Sequence, residues 1–229
     1  LYNKYQFQYP QQSIYNHDPI YGQTGTQLKG SLDDAEFRRY LLMCGMRGTS
    51  FFELYYTYSM IDEGDKWYVN SEVLKYIEER HEVLRHSQIF GDAPGKGNVY
   101  GYSAWLEDRG TIAIRNPSND VKEYTIKLDR SIGVPENIPT TYRKIVLDFN
   151  TIEDLKEGQE QKYNDEIKVT LQPRECRIID FEPKPDKEPA QIEIVKAINQ
   201  KEIQIRFNKK IRYNKDNYQF IGNEIIDGI

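Results

Sequence analysis

Ser13-Ile14-Tyr15-Asn16-His17-Asp18-Pro19, Ser31-Leu32-Asp33-Asp34-Ala35-Glu36-Phe37-Arg38-Arg39-Tyr40-Leu41-Leu42-Met43-Cys44 and Thr49-Ser50-Phe51-Phe52-Glu53-Leu54-Tyr55-Tyr56 together decide the fold. In the first stretch, Ser13–Tyr15 reads as a short strand running into a polar tail. In the second, Ser31 with Asp34 fits a capping box, and Phe37, Tyr40, Leu41 and Cys44 recur at helical spacing, drawing one apolar face that ends near Gly45 or Gly48. The third is aromatic and nearly continuous, with one charge inside it, as a parallel strand covered on both faces requires. Strand, helix, strand in this order predicts a right-handed βαβ unit.

Outward from that unit, a second helix is predicted from a cap at Asn70 or Ser71. It carries Val73, Leu74, Ile77 and Leu84 on one stripe, leaves Lys75, Glu78, Glu79 and Glu82 solvated, and runs to about Arg85. From Val99 the period changes to two. Val99–Trp105, Thr111–Arg115, Tyr124–Leu128, Tyr142–Leu147, Ile167–Leu171 and Arg177–Phe181 alternate apolar with polar, and the turns between them hold Gly, Pro and Asn, which predicts an antiparallel β-sandwich. Pro183, Pro185 and Pro189 enclose a charged stretch that reads as a semi-rigid linker. Beyond it, Ile192–Val195, Ile203–Phe207 and Tyr218–Ile221 look like the first strands of an immunoglobulin-like module. The expected fold class is therefore an α/β remnant of a larger parallel sheet, an antiparallel sandwich and a truncated Ig-like β module. Its expected bounds are 1–90, 91–182, a Pro-rich linker at 183–190, and 191–229. A single βαβ unit cannot bury its own sheet faces, so the α/β part is expected to begin before Leu1, and the last module to continue past Ile229.

Composition narrows the function. The 229 residues carry 31 Lys and Arg against 36 Asp and Glu, a formal charge of −5, which argues against a nucleic-acid surface or a polybasic membrane patch. No apolar run is long enough to span a membrane. Eighteen Tyr, nine Phe and two Trp provide enough burial to exclude global disorder. Cys44 and Cys176, in unlike contexts, form neither a disulfide framework nor a metal-ligand spacing and are expected as buried thiols. His17, His81 and His86 are scattered, so no metal or other cofactor is expected. Gly91-Asp92-Ala93-Pro94-Gly95-Lys96-Gly97 lacks the Gly-Lys-Ser/Thr ending of a phosphate loop and reads as a connector.

Asn16-His17-Asp18-Pro19, Asp33-Asp34-Ala35-Glu36-Phe37-Arg38-Arg39-Tyr40-Leu41-Leu42 and Gly48-Thr49-Ser50-Phe51-Phe52-Glu53-Leu54 together resemble the end of the catalytic barrel in the α-galactosidase and α-N-acetylgalactosaminidase families. Those enzymes carry Asn-Asp-Pro-Asp after barrel strand seven, then an acidic, Arg-containing helix start and a closing strand eight. Asp18-Pro19 matches the first Asp-Pro of that motif, while His17 and Ile20 depart from it. Val99–Trp105 and Gly110–Ser118 look like the C-terminal sandwich of related large, secreted bacterial glycosidase-like proteins, in which Ig-like modules commonly follow. The resemblance covers about residues 13–182. It implies the end of a (β/α)8 barrel, an oligosaccharide or glycan substrate bearing α-linked galactose or N-acetylgalactosamine, and an extracellular or cell-surface location. It also implies a retaining two-carboxylate mechanism whose nucleophile and acid/base follow strands four and six, before Leu1, so no catalytic residue is assigned on this chain.

Candidate substrate-binding residues are His17, Asp18, Tyr21, Glu53 and Tyr55. Asp18 and Glu53 are the acids expected at the C-terminal ends of adjacent parallel strands, the face on which barrel sites form. The plainer readings are a turn former before proline for Asp18 and a buried acid paired with an arginine such as Arg47 for Glu53. His17 can hydrogen-bond a sugar hydroxyl or serve as an ordinary loop imidazole. Tyr21, Tyr55, Tyr56 and Trp67 can stack on pyranose faces or simply pack, and Trp105 alternates within a strand as a core residue does. A competing reading is a non-catalytic carbohydrate-binding or spacer protein on the cell surface.

Overall fold

The structure, a computed structural model, describes residues 10–15, 19–21, 32–50, 53–138, 141–145 (backbone only), 158–183, 191–199 and 202–208. Residues 1–184 form one compact unit and 185–229 a second.

The parallel pair is present but shorter than the sequence suggests. Strand β1 (Ile20–Tyr21) pairs in parallel with β2 (Tyr55–Tyr56), and helix α1 (Asp34–Gly45) connects them. Ser13 belongs to a 3-10 turn, Gln11–Ser13, and regular pairing starts only after Pro19, a residue that can open a strand because it needs no N–H there. The two segments still run side by side further back: Ser50 N donates to Ile14 O at 3.2 Å and Tyr55 N to Pro19 O at 3.0 Å. The α1 cap is Asp33, whose Oδ1 accepts from Glu36 N at 2.7 Å, while Ser31 lies outside the described residues. A carboxylate here also complements the helix dipole. Phe37, Leu41 and Cys44 are buried, as their spacing predicts, while Tyr40 on the same face is partly buried.

After α2 (Tyr58–Ile61), α3 spans Lys66–Glu79, beginning four residues ahead of the expected cap. Its buried stripe is Val69, Val73 and Tyr76. Arg80 leaves helical geometry (φ −111, ψ 9), so Leu84 belongs to a separate short helix, α4 (His81–Leu84).

Strands β3 (Gln88–Gly91), β4 (Tyr100–Leu106), β5 (Arg109–Arg115), β6 (Lys122–Lys127), β7 (Thr141–Ile145), β8 (Glu160–Gln161), β9 (Glu166–Leu171) and β10 (Cys176–Pro183) follow. Six of them make an antiparallel sheet in the order β3-β4-β5-β10-β7-β8, and β6 pairs with β9 as a separate ribbon. The strands β3 and β8 escape sequence reading because four and two residues are too short to show a period.

Alternation sorts the sheet's side chains. Trp105, Ile112, Ile114, Ile179 and Phe181 face the β6–β9 ribbon, which contributes Ile126, Leu128, Ile167, Val169 and Leu171. On the opposite face Tyr102, Ala104, Ala113, Cys176 and Ile178 join one apolar cluster with Tyr21, Phe37, Leu41, Val73 and Leu84 of the α/β part. The central strands are thus covered on both faces, which is why residues 101–105 and 110–114 are buried without a gap. The boundary expected at residue 90 falls inside this compact unit: the sheet supplies the surface on which α1, α3 and α4 bury their apolar stripes.

The second unit, taken alone, is described as a hairpin of β11 (Ile192–Asn199) and β12 (Glu202–Phe207). Bulges between Ile192 and Ile194 and between Ala197 and Asn199 interrupt its register, and Ile194, Val195 and Ile203 are exposed. The expected strand at 218–221 lies outside the described residues.

Candidate functional site

Glu53 is the one acid on the body of the parallel pair that the structure describes. Tyr15 Oη donates to its Oε1 at 2.8 Å, and Tyr55 also hydrogen-bonds it. A carboxylate that accepts a phenol proton stabilises the neutral phenol. The Tyr15 hydroxyl is accordingly pushed up to about 12, the hydrogen bond to Glu53 being the main cause, and the same bond raises Tyr55. Both rings are about half exposed, at 53% and 47%. The result is a solvent-facing carboxylate flanked by two aromatic rings, able to accept from a ligand hydroxyl while the rings offer flat apolar faces.

Of the predicted residues, the structure brings Glu53 and Tyr55 together and adds Tyr15, which the sequence reading treated only as part of a strand. The signal for it was the pairing itself: parallel register places residue 15 beside residues 50 to 53 once Ile20 sits opposite Tyr55. His17 and Asp18 lie outside the described residues. Tyr21 is corrected to a core residue. It has no exposed surface, its ring stacks on Phe37 at 4.9 Å, and its hydroxyl accepts from Leu32 N at 3.0 Å. Glu53 precedes the regular strand Tyr55–Tyr56, so it stands before the C-terminal end where it was expected. Arg47, the partner imagined for Glu53, hydrogen-bonds Tyr102.

At the C-terminal end of the pair, Lys66 is buried with its Nζ 3.4 Å from Asp34 Oδ1 and donating to Glu63 O at 3.0 Å. Asp34 Oδ2 also accepts from Asp65 N, so this cluster ties the start of α1 to the start of α3. Tyr56 is half-buried, and its hydroxyl donates to Asn70 Oδ1 at 2.8 Å. Tyr58, Trp67 and Tyr68 are exposed by half or more. Among the described residues no three His, Cys, Asp or Glu side chains are grouped to hold a metal ion, and no helix is long and apolar enough to cross a membrane.

No protein-family model matches this chain, and no curated protein does. Solved structures similar to it are α-galactosidase-like and related glycoside hydrolases. A Bacillus halodurans protein assigned as an α-N-acetylgalactosaminidase is 11% identical with a TM-score of 0.46, over 70% of this chain and 34% of that one. The α-galactosidase I of Mortierella vinacea is 12% identical with a TM-score of 0.43, over 66% of this chain and 36% of its own. The trehalose-6-phosphate hydrolase of Bacillus licheniformis is 14% identical with a TM-score of 0.35, over 58% and 22%. The chain thus spans about a third or less of the length of each.

Proposed function

We propose that this chain is the closing part of a (β/α)8 glycoside hydrolase together with its C-terminal β-sandwich and the start of an Ig-like module, from an extracellular or cell-surface protein acting on α-linked galactose or N-acetylgalactosamine. One observation carries the reading: the β1–β2 pair is parallel and backed by α1, yet it leaves Tyr15, Leu54 and Tyr55 about half exposed. Parallel strands are stable when both faces are covered and when further strands extend the sheet, and a closed barrel supplies both. The Glu53–Tyr15–Tyr55 group would then contact substrate or line the approach to it. Cleavage would use two carboxyl groups about 5 to 5.5 Å apart in a retaining displacement, both supplied by other strands of the barrel.

The test is hydrolysis of p-nitrophenyl α-galactoside and its N-acetylgalactosaminide analogue by the longest natural form of the protein, with the anomeric configuration of the first product followed by NMR. Hydrolysis with retention supports the reading. Glycan binding without hydrolysis would favour a surface carbohydrate-binding protein, and neither activity would remove the glycan assignment.

A further inference from the structure

A cleft of about 370 Å³ opens where the C-terminal end of α1 meets α4 and the Gln11–Ser13 turn, and it lies away from Glu53 in the lining it presents. Its described lining brings together the apolar Ile77 and Leu84, the nitrogen-bearing His81 and Arg85, and the polar Gln12, Thr49 and Ser50. Among the described residues that line it, the imidazole of His81 is the one aromatic ring.

The walls are pinned. Gly48 adopts a left-handed conformation (φ +66), and a Cβ there would stand 2.0 Å from Leu84 O, so the loop can pass this close to α4 only as glycine. Ser87 Oγ donates to Met46 O at 2.7 Å and fixes the same loop to the residue block after α4. Ser50 spends its hydroxyl proton on Ile14 O at 3.0 Å, which holds the Gln12 segment in place and leaves the serine oxygen as an acceptor. Arg85 and His81 are less committed: Glu82 lies 3.4 Å from both His81 Nδ1 and Arg85 Nη1, in exposed pairs of the kind that contribute little.

We propose that this cleft binds a carboxylate-bearing sugar of the hexuronate class. The carboxylate pairs with Arg85, with His81 beside it, in place of the loose Glu82 contacts. The apolar face of the ring rests on Ile77 and Leu84, and ring hydroxyls meet Thr49, Ser50 and Gln12. A single planar guanidinium suits a carboxylate's two oxygens, and the volume is within the range of small-ligand sites. The cleft sits at the end where the parallel segments start, beside Ser50 and Ile14, whereas barrel active sites open where strands finish. The inference therefore stands without the catalytic reading.

The experiment is an amide NMR titration of the full chain with galacturonate, galactose and acetate in separate arms. Galacturonate is expected to shift Gly48, Thr49, Ser50 and Leu84 saturably, with galactose and acetate each at least about tenfold weaker, the loss expected when one charge-assisted contact or the ring contacts are missing. Arg85→Gln should weaken galacturonate about tenfold without altering the spectrum elsewhere, and Glu82→Gln should tighten it by removing the competing anion. Absence of saturable shifts, galactose binding as well as galacturonate, acetate matching it, or an Arg85→Gln variant that binds normally would each overturn the proposal.

Discussion

Arg80, just past α3, donates from both Nε and Nη2 to one oxygen of Asp180 on β10, at 2.8 and 2.5 Å, across 100 positions of sequence. Tyr76 Oη donates to the other oxygen at 2.8 Å and lies 3.1 Å from Thr111 Oγ1, while the Arg80 guanidinium stacks 3.8 Å from the Tyr76 ring centre. The helical layer is thereby fastened to the sheet by a carboxylate with almost no exposure. Asp180→Ala removes the acceptor and strands a cation and a buried hydroxyl, so it is expected to cost about 3–5 kcal/mol in urea unfolding, and Tyr76→Phe about 1–2 kcal/mol. Because the two share one carboxylate, the double variant should cost less than the sum.

Cys176 predicts an alkaline weakness. Burial pushes its thiol up to about 12 from an ordinary 9.0. The folded state therefore holds a proton that the unfolded state releases, so the stabilisation is complete below about pH 9 and declines from there to about 12, by up to about 1.4 kcal/mol per pH unit. The buried phenol of Tyr76, raised by desolvation and by Asp180, adds the same sign of loss above about pH 10. Urea midpoints measured from pH 8 to 10.5 should fall for the natural protein, with a shallower fall between 9 and 10 for Cys176→Ala. Parallel slopes would mean the thiol is not the titrating group.

Why some of this was legible in the sequence and some was not follows from the range of the interactions. Phe37, Leu41 and Cys44 announce α1, and Ile112, Ile114, Ile167 and Val169 announce their strands, because burial on one face writes a period into neighbouring positions. A parallel pair joined by an amphipathic helix was also readable, from the aromatic run that follows the helix, but its first strand was expected at Ser13–Tyr15 and forms at Ile20–Tyr21. The Arg80–Asp180 contact leaves no local trace, since either residue alone reads as a surface charge. Tyr21 misleads for a related reason: a tyrosine beside a polar tail looks available for stacking, and only the tertiary placement of Phe37 and Leu32 N makes it core. The early start of α3 was hidden because its first turn carries Trp67 and Tyr68 facing solvent, which erases the apolar stripe there.

Two glycines lie under aromatic rings across neighbouring strands. Trp105 pairs with Gly110 and Phe90 with Gly101, and a Cβ would stand 2.4 Å from the Trp105 ring and 2.6 Å from that of Phe90. At Gly101 the same Cβ would also stand 2.2 Å from Ala113 O, which cannot retreat without breaking the ladder. Gly110→Ala is expected to tilt Trp105 and change its fluorescence at a cost of about 1–3 kcal/mol, with Gly101→Ala at or above the top of that range. A Gly101 variant as stable as the natural protein would show that β4 and β5 are spaced more widely.

Glu53 sets the ionisation of its tyrosine neighbours, so Glu53→Gln should return the Tyr15 hydroxyl from about 12 toward 10.0 and lower Tyr55 in the same direction. Losing the carboxylate removes both the strong acceptor and its repulsion of a phenolate, and the two effects share a sign. Ring-carbon NMR of labelled tyrosine across pH 9 to 12.5 resolves it. The melting temperature should move little, because Tyr15 and Tyr55 are exposed, and an unmoved Tyr15 titration would detach Glu53 from this pair.

Tyr40 decides whether β1 has further strands beside it. Ile20 N donates to Tyr40 Oη at 2.8 Å, and that hydroxyl donates back to Ile20 O at 3.3 Å, while Pro19 O and Tyr21 O accept from the β2 segment. The edge of β1 away from β2 is thus satisfied by a side chain of α1, as an edge strand that must not recruit a neighbour would be. In this chain Tyr40→Phe leaves both backbone groups of Ile20 short of a partner and should cost about 1–3 kcal/mol, with faster exchange of the Ile20 amide. In a longer form of the protein that closes a barrel, a neighbouring strand would take those groups, and the same substitution should be nearly neutral. An equal penalty in both would leave the edge of β1 closed by Tyr40 and the barrel assignment without a further strand beside β1.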